Sequence, residues 1–452
     1  MHSKLRALLF AIGLSFAIPV FSGPIIQTGT NAPQDQKLLH LLGKMGYLAQ
    51  TICDDAYPKV ETEKCFDMIY HAIMSARDPH SAYLSKKEYD ELRMSRSNEL
   101  EGIGVQIRRV GQRGPVEVVH VFEGTPAFEA NIRPNDLIVK VGDKPVSKYE
   151  TTDDIVQDIR GKPGTQVRLS IERKDVEKPI NVTLLRKKVA IPQIESKMTT
   201  FSGKKYLVVE TKHFGQNFAK QLAEHVLKGM KQQPEGLILE YSGNPGGDLS
   251  EVILALDLFY DAPSGFVSIR SNDGVEVYDL SPAEAGDATP GDITKGLPIL
   301  VVVNGQSASA SEIFAGGMQM NRAPVAGTRT WAKGSVQNVI PLNDGSALKF
   351  TMGEYVVGSP TRYMSVQCKG IIPDLPYIDP SKPAADEDGA RHECDLAGSI
   401  PQSAPDAPGS VGELSAYATR DPVGYANGKL LLEVYKAYRA SKAKTAPDSG
   451  ER

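Results

Sequence analysis

At 452 residues, with 41% hydrophobic and 23% charged side chains, the chain is long enough for two or three domains and able to bury a sizeable core. Lys and Arg number 51 and Asp and Glu 55, a formal net charge of −4. No block of basic residues interleaved with aromatics occurs, which argues against nucleic acid and leaves proteins or small molecules as partners.

Residues 1–23 read as a secretory signal. Lys4 and Arg6 precede an apolar run from Ala7 to Phe21, and Ser22 and Gly23 supply the small residues of a cleavage point. Gly13, Ser15 and Pro19 break the run, which is short for a membrane span; an uncleaved anchor is the alternative. In an oxidising compartment the four cysteines, falling as two local pairs, imply the disulfides Cys53–Cys65 and Cys368–Cys394. Four free thiols remain the alternative, because pairing cannot be read from sequence alone. No CxxC, HExxH or other metal-ligand spacing occurs, so neither a metal nor a cofactor is expected.

Between Gln34 and Ser75, Leu38, Leu39, Leu41, Leu42, Met45 and Leu48, then Cys65, Met68, Ile69 and Ile73, recur at near-helical spacing. They predict a helical module over 34–96 whose apolar face is either core or a dimerisation surface. From about Leu100 the texture changes to "GIGVQI", "VEVVHV", "DLIVKVGDKPV" and "TQVRLSIER". These read as strands, with helical stretches at 126–130 and 152–159, in a compact strand-rich domain over 97–188. Over 189–378 the apolar runs "KYLVVE", "GLILEY" and "LPILVVVN" alternate with helical patterns at 216–230, 249–259 and 309–320. That alternation predicts an α/β domain with a largely parallel core. The Pro-, Ala-, Ser-, Asp- and Gly-rich stretch 379–421 reads as a flexible loop, and a helix at 429–443 closes the last segment, 422–452.

In such a domain, reactive groups sit in loops beyond the carboxyl ends of strands. One loop is "NPGG", Asn244 to Gly247, whose glycines suit either an oxyanion hole or a plain tight turn. The other is "VNGQSASASEIFAGG". Ser309 and Glu312 stand in capping-box spacing, and a hydroxyl at a helix N-terminus also meets N–H groups and the dipole that favour a developing oxyanion. His80 and His120, weighed as its base, read as structural, so a Ser-His-Asp triad finds no support. A desolvated lysine can take that place. Lys333 and Gln337 in "TWAKGSVQNVIPL" are four apart and share a face if both lie on a strand. Ser202/Lys205 and Ser441/Lys444 also match S-x-x-K spacing but have no supporting context.

"NPGG", "NGQSASASEIFAGGMQ", "AKGSVQ" and "GIIPD" (370–374), with "DPHSAYL" (78–84) and "GIGVQI" ahead of them, resemble the C-terminal processing peptidases, or tail-specific proteases, over about residues 35 to 378. The resemblance implies an α/β core of the Clp/crotonase-type fold with an inserted PDZ domain and an N-terminal helical module. It further implies Ser309 as nucleophile, Lys333 as general base and Gln337 as the residue orienting that lysine. Ala310 with Gly246 or Gly247 would form the oxyanion hole, leaving Ser307 and Ser311 structural. "GIGV", Gly102, Ile103, Gly104 and Val105, would capture a peptide's C-terminal carboxylate. Asn131 and Asn135 stand where PDZ domains usually carry glycine, and Ser242 where the family generally has an arginine. The function implied is a periplasmic serine endopeptidase without cofactor, acting through an acyl-enzyme on proteins with nonpolar C-terminal tails. An activating adaptor and a homo-oligomer, a dimer or higher, are further partners it implies. A catalytically silent PDZ-bearing scaffold of the same fold is the competing reading.

Overall fold

The computed structural model describes residues 32–55, 58–96, 99–109, 114–174, 176–190, 192–261, 267–278, 291–359, 362–380, 392–401 and 417–445. The signal expected at 1–23 lies outside them. The described residues divide into two compact units, one within 1–89, 196–213 and 218–452 and the other within 90–195 and 214–217.

The larger unit contains a sheet in which Lys204–Thr211, Leu237–Glu240, Ile299–Val303, Val325–Gly327 and Leu375–Pro376 pair in parallel in that order. Every residue of Leu237–Glu240 and Ile299–Val303 is buried. This is why these strands read as continuous apolar runs: a parallel strand covered on both faces has no solvent side to mark with polar residues. On one face Tyr206, Val208, Ile238, Leu300 and Val302 pack with Leu431, Leu432, Val434, Tyr435 and Tyr438 of the C-terminal helix Pro422–Thr445. Each such side chain contributes about 1.5–3 kcal/mol by leaving water.

A second sheet in the same unit is antiparallel and was not legible in the sequence. It is organised on the long strand Ala347–Ser359, which pairs with Ala82–Leu84, Val267–Ser271, Ser335–Pro341 and Arg362–Ser365. The first two helices, Ala32–Asp55 and Thr62–Ser75, are joined by the Cys53–Cys65 disulfide. Within the stretch expected to be loop, residues 392–401 instead carry a short 3-10 turn, Glu393–Asp395, tied by the Cys368–Cys394 disulfide to the turn that follows the strand Arg362–Ser365.

The smaller unit contains a six-stranded antiparallel sheet in the order Val105–Arg109, Val116–Val121, Leu137–Val141, Gln166–Glu172, Ile180–Leu185, with Lys144–Pro145 paired to Leu137–Val141 beside that path. Ile103, Val118, Ile138, Ile155, Leu169 and Ile171 form its core. Thr151 and Asp154 cap the helix Thr152–Ile159 in a reciprocal box. Asn131 and Asn135 have φ of 57° and 70°, the left-handed conformation that asparagine tolerates best after glycine.

Candidate active site

The buried strand Ile299–Val303 delivers the chain into a turn that ends at Ser309, the N-cap of the helix Ala310–Asn321. The three serines there have different partners. Ser307 Oγ donates to Tyr241 O (2.9 Å) and Ser311 Oγ to Asn244 O (2.8 Å), each buried. Ser309 is only partly buried, and its hydroxyl makes no cap hydrogen bond. Its backbone is held at φ 54°, ψ −115°. A residue with a Cβ avoids that region; holding one there costs about 1–3 kcal/mol, and such strain concentrates where a side chain must be presented from a sharp strand-to-helix turn.

Glu312 imposes this geometry. Its Oε2 accepts Ser309 N–H (2.8 Å) and Lys333 N–H (2.9 Å), and its Oε1 accepts Ala332 N–H (2.7 Å) and the Thr330 hydroxyl. Burial pushes its carboxyl up to about 7, against the lowering effect of those four donors. The glutamate closes back on the helix start, as in a capping box, and doubles as a clamp joining the Ser309 turn to the Lys333 loop. The Tyr355 hydroxyl adds a second link, to Ser309 O (3.1 Å) and Lys333 O.

Lys333 does not lie on the strand with Gln337; the strand begins at Ser335 and carries a register shift between Val336 and Gln337. The two meet nonetheless. Lys333 Nζ donates to Gln337 Oε1 (2.8 Å), while Gln337 Nε2 donates to Ser335 Oγ (3.0 Å) and Thr351 Oγ1 (3.2 Å). Burial holds the Lys333 ammonium below the ordinary lysine range; Glu393, Glu312 and Asp78 oppose this and Lys349 adds to it.

The NPGG loop lies against the Ser309 turn. A Cβ on Gly246 would stand 2.7 Å from Ala308 O, 2.8 Å from Ala310 N and 2.9 Å from Ser309 Cβ. Asn244 braces the contact by accepting Ala308 N–H on its carbonyl (3.1 Å) and Gly246 N–H on its side chain (2.9 Å). Of the two glycines proposed as oxyanion donors, Gly246 therefore has its N–H committed to Asn244.

His80 takes a structural part: its Nε2 lies 2.6 Å from Glu393 Oε1, and Glu393 Oε2 accepts Trp331 Nε1–H (3.1 Å). His120 packs edge-on to Phe122. Sequence reasoning missed Tyr355, Thr351 and Glu393 altogether and read Glu312 only as a cap; their partners lie far along the chain, with no local pattern to mark them.

In the smaller unit, Gly102 and Ile103 are buried and Gly104 has φ 81°. A Cβ on Gly104 would stand 2.3 Å from Thr125 Cβ, so only glycine fits. Val105, next in line, begins the strand at one end of the sheet order.

Residues 205–377 match peptidase family S41, and residues 102–184 match the PDZ domain. A carboxy-terminal-processing protease of Bartonella bacilliformis is 29% identical over 407 residues, covering 90% of this chain and 90% of that protein. A probable CtpA-like serine protease of Staphylococcus aureus is 30% identical over 336 residues, 74% of this chain. The chain spans 64% of that relative's length. Among solved structures, the photosystem II D1 C-terminal processing protease is similar over 73% of this chain and 86% of its own, at 24% identity and a TM-score of 0.42.

Proposed function

We propose that this member of peptidase family S41, which also carries a PDZ domain, is an exported serine endopeptidase working through a Ser309–Lys333 dyad. The observation that carries the reading is the shared clamp: one oxygen of Glu312 accepts the backbone N–H of both residues. Around it, Ser309 sits in a strained turn and Lys333 Nζ is held by Gln337.

In this mechanism neutral Lys333 takes the Ser309 proton as Oγ attacks a peptide carbonyl. The N–H groups of Ala310 and Gly247 stabilise the oxyanion, and Lys333 then gives its proton to the leaving amine. Water, deprotonated by the same lysine, releases the acyl group. Gln337 orients the amine throughout. The PDZ domain binds a nonpolar C-terminal tail as an added strand along Val105–Arg109, its carboxylate in the Gly102–Val105 loop; the position of that strand at one end of the sheet supports this. The signal pattern at 1–23 points to the periplasm. Leu39, Leu41, Leu42, Met45 and Leu48, each about half exposed along one helix, support a homo-oligomer, and the same exposed apolar residues suit an adaptor.

The test compares the mature protein with Ser309→Ala and Lys333→Ala on an unfolded protein ending in an apolar tail, with circular dichroism to show that all three fold. Cleavage by the parent alone is expected. Cleavage by Ser309→Ala overturns the assignment, and tail binding without turnover in the parent favours the scaffold reading.

A further inference from the structure

Asp78, the first residue of DPHSAYL, is buried and has no part in the mechanism above. Its carboxylate accepts four hydrogen bonds: His80 N–H and Ser81 N–H at 2.9 Å each, the Ser81 hydroxyl at 2.6 Å, and the Thr351 hydroxyl at 3.1 Å. Burial pushes the Asp78 carboxyl up, but these donors outweigh it and hold it below the usual range. It is therefore an anion, and an anionic carboxylate can only accept.

That fixes the direction of every hydrogen bond beyond it. Thr351 has one hydroxyl proton and commits it to Asp78 Oδ1, so toward Gln337 its oxygen can only accept. Gln337 must turn its NH2 end to Thr351 Oγ1 (3.2 Å), and its second amide proton goes to Ser335 Oγ (3.0 Å). The carbonyl end is left facing Lys333 Nζ (2.8 Å). A glutamine amide is nearly symmetric in shape, so sterics alone do not choose between its two orientations. Reversed, it would aim N–H groups at the lysine.

We propose that Asp78 is a positioning residue that, through the Thr351 hydroxyl, dictates which end of the Gln337 amide meets Lys333 and so keeps the amine aligned. The consequence for catalysis rests on the reading of Lys333 as general base; the alignment itself does not. Asp78 also braces the turn before the strand Ala82–Leu84, through Ser81 and the Ser81 hydroxyl's bond from Thr351 N–H (3.1 Å). The test must separate that local role from the relay.

Thr351→Val is the informative variant, because it removes the hydroxyl while leaving every charge that faces Lys333 in place: Glu393 from the 3-10 turn, Lys349 from the long strand, Glu312 from the Ser309 helix and Asp78 itself. Two readouts are taken on the full mature chain. The first is kcat and KM on the unfolded, apolar-tailed substrate. The second needs no turnover: the pH dependence of Lys333 acetylation by acetic anhydride, read by peptide mass spectrometry. In Thr351→Val, kcat should fall about 10- to 100-fold, the cost typical of losing a partner that orients a reactive group, with KM little changed. The acetylation midpoint should move to lower pH, because the ammonium loses the carbonyl that stabilises it. Thr351→Ser, which keeps the hydroxyl, should restore most of both. Asp78→Asn also removes a charge that faces Lys333, so it should lower kcat and the acetylation midpoint at least as far as Thr351→Val, and the double variant should be no worse than the worse single, as expected of two residues on one path.

An unchanged acetylation midpoint in Thr351→Val overturns the relay whatever happens to activity. So does a Thr351→Ser variant as impaired as the valine, or losses that multiply in the double. A parent without proteolytic activity would defeat the proposed function while the acetylation midpoints still decide the role of Asp78.

Discussion

Gly246→Ala tests whether the NPGG loop fixes the position of Ser309, the proposed nucleophile. Gly246 has φ 99°, and an added Cβ would meet Ala308 O, Ala310 N and Ser309 Cβ at 2.7, 2.8 and 2.9 Å. None of these is the tip of a flexible side chain, so the overlap cannot be relieved by rotating one away. Overpacking of this kind costs about 1–3 kcal/mol, and a Cβ at positive φ adds about 1–2 kcal/mol. If the structure relaxes instead, what moves is the Ser309 turn, and a displacement of about 1 Å at a reacting group costs about 100-fold in rate. Gly243→Ala is the control: φ is 77°, but the added Cβ would meet only Gln306 Oε1, at 3.6 Å. It carries the conformational strain without the overlap. Thermal unfolding and kcat on the apolar-tailed substrate should show Gly246→Ala less stable by about 2–5 kcal/mol or slower by about two orders of magnitude. Gly243→Ala should lose about 1–2 kcal/mol and keep most of its rate. A Gly246→Ala variant with parental rate and stability, or a control that falls as far, would refute the steric argument.

Two further predictions follow from Lys333 and from the second disulfide. Because burial lowers the Lys333 pKa, the unfolded chain binds more protons than the folded one between the folded-state pKa and about 10.4, the unperturbed value. Its contribution to stability therefore rises with pH across that window, whereas kcat/KM, with Lys333 as the proposed base, rises as pH approaches the folded-state pKa from below and levels off above it. Lys333→Met should flatten the stability profile there and make the protein more stable near pH 7; unfolding midpoints against pH that match the parent's would sink this. Cys394→Ser opens a loop of sequence separation 26 and should cost about 3 kcal/mol. It also frees the turn that places Glu393 on His80 and Trp331. In reductant, which opens Cys53–Cys65 in both proteins, parent and variant should show the same melting temperature, and a gap between them that survives reductant would contradict it.

What local chemistry marks, the chain announces. Continuous apolar runs mark Leu237–Glu240 and Ile299–Val303 because both faces of a parallel strand are covered. Asn131 and Asn135 mark left-handed turns because few other side chains tolerate them. The serine stretch reads as a helix start, and Lys333 and Gln337 are within one short segment. Only the tertiary structure could decide the rest. Whether Ser309 caps its helix or presents its hydroxyl depends on Glu312, whose other partners are Thr330, Ala332 and Lys333. Lys333 reaches Gln337 across a bulge, outside any strand period. Asp78 meets Thr351 over 273 residues, on an antiparallel sheet that no periodicity revealed. Sequence pattern records the environment a residue needs from its neighbours along the chain. Which carboxylate, hydroxyl or amide arrives from elsewhere is chosen by packing, and packing brings together the groups that surround Ser309 and Lys333.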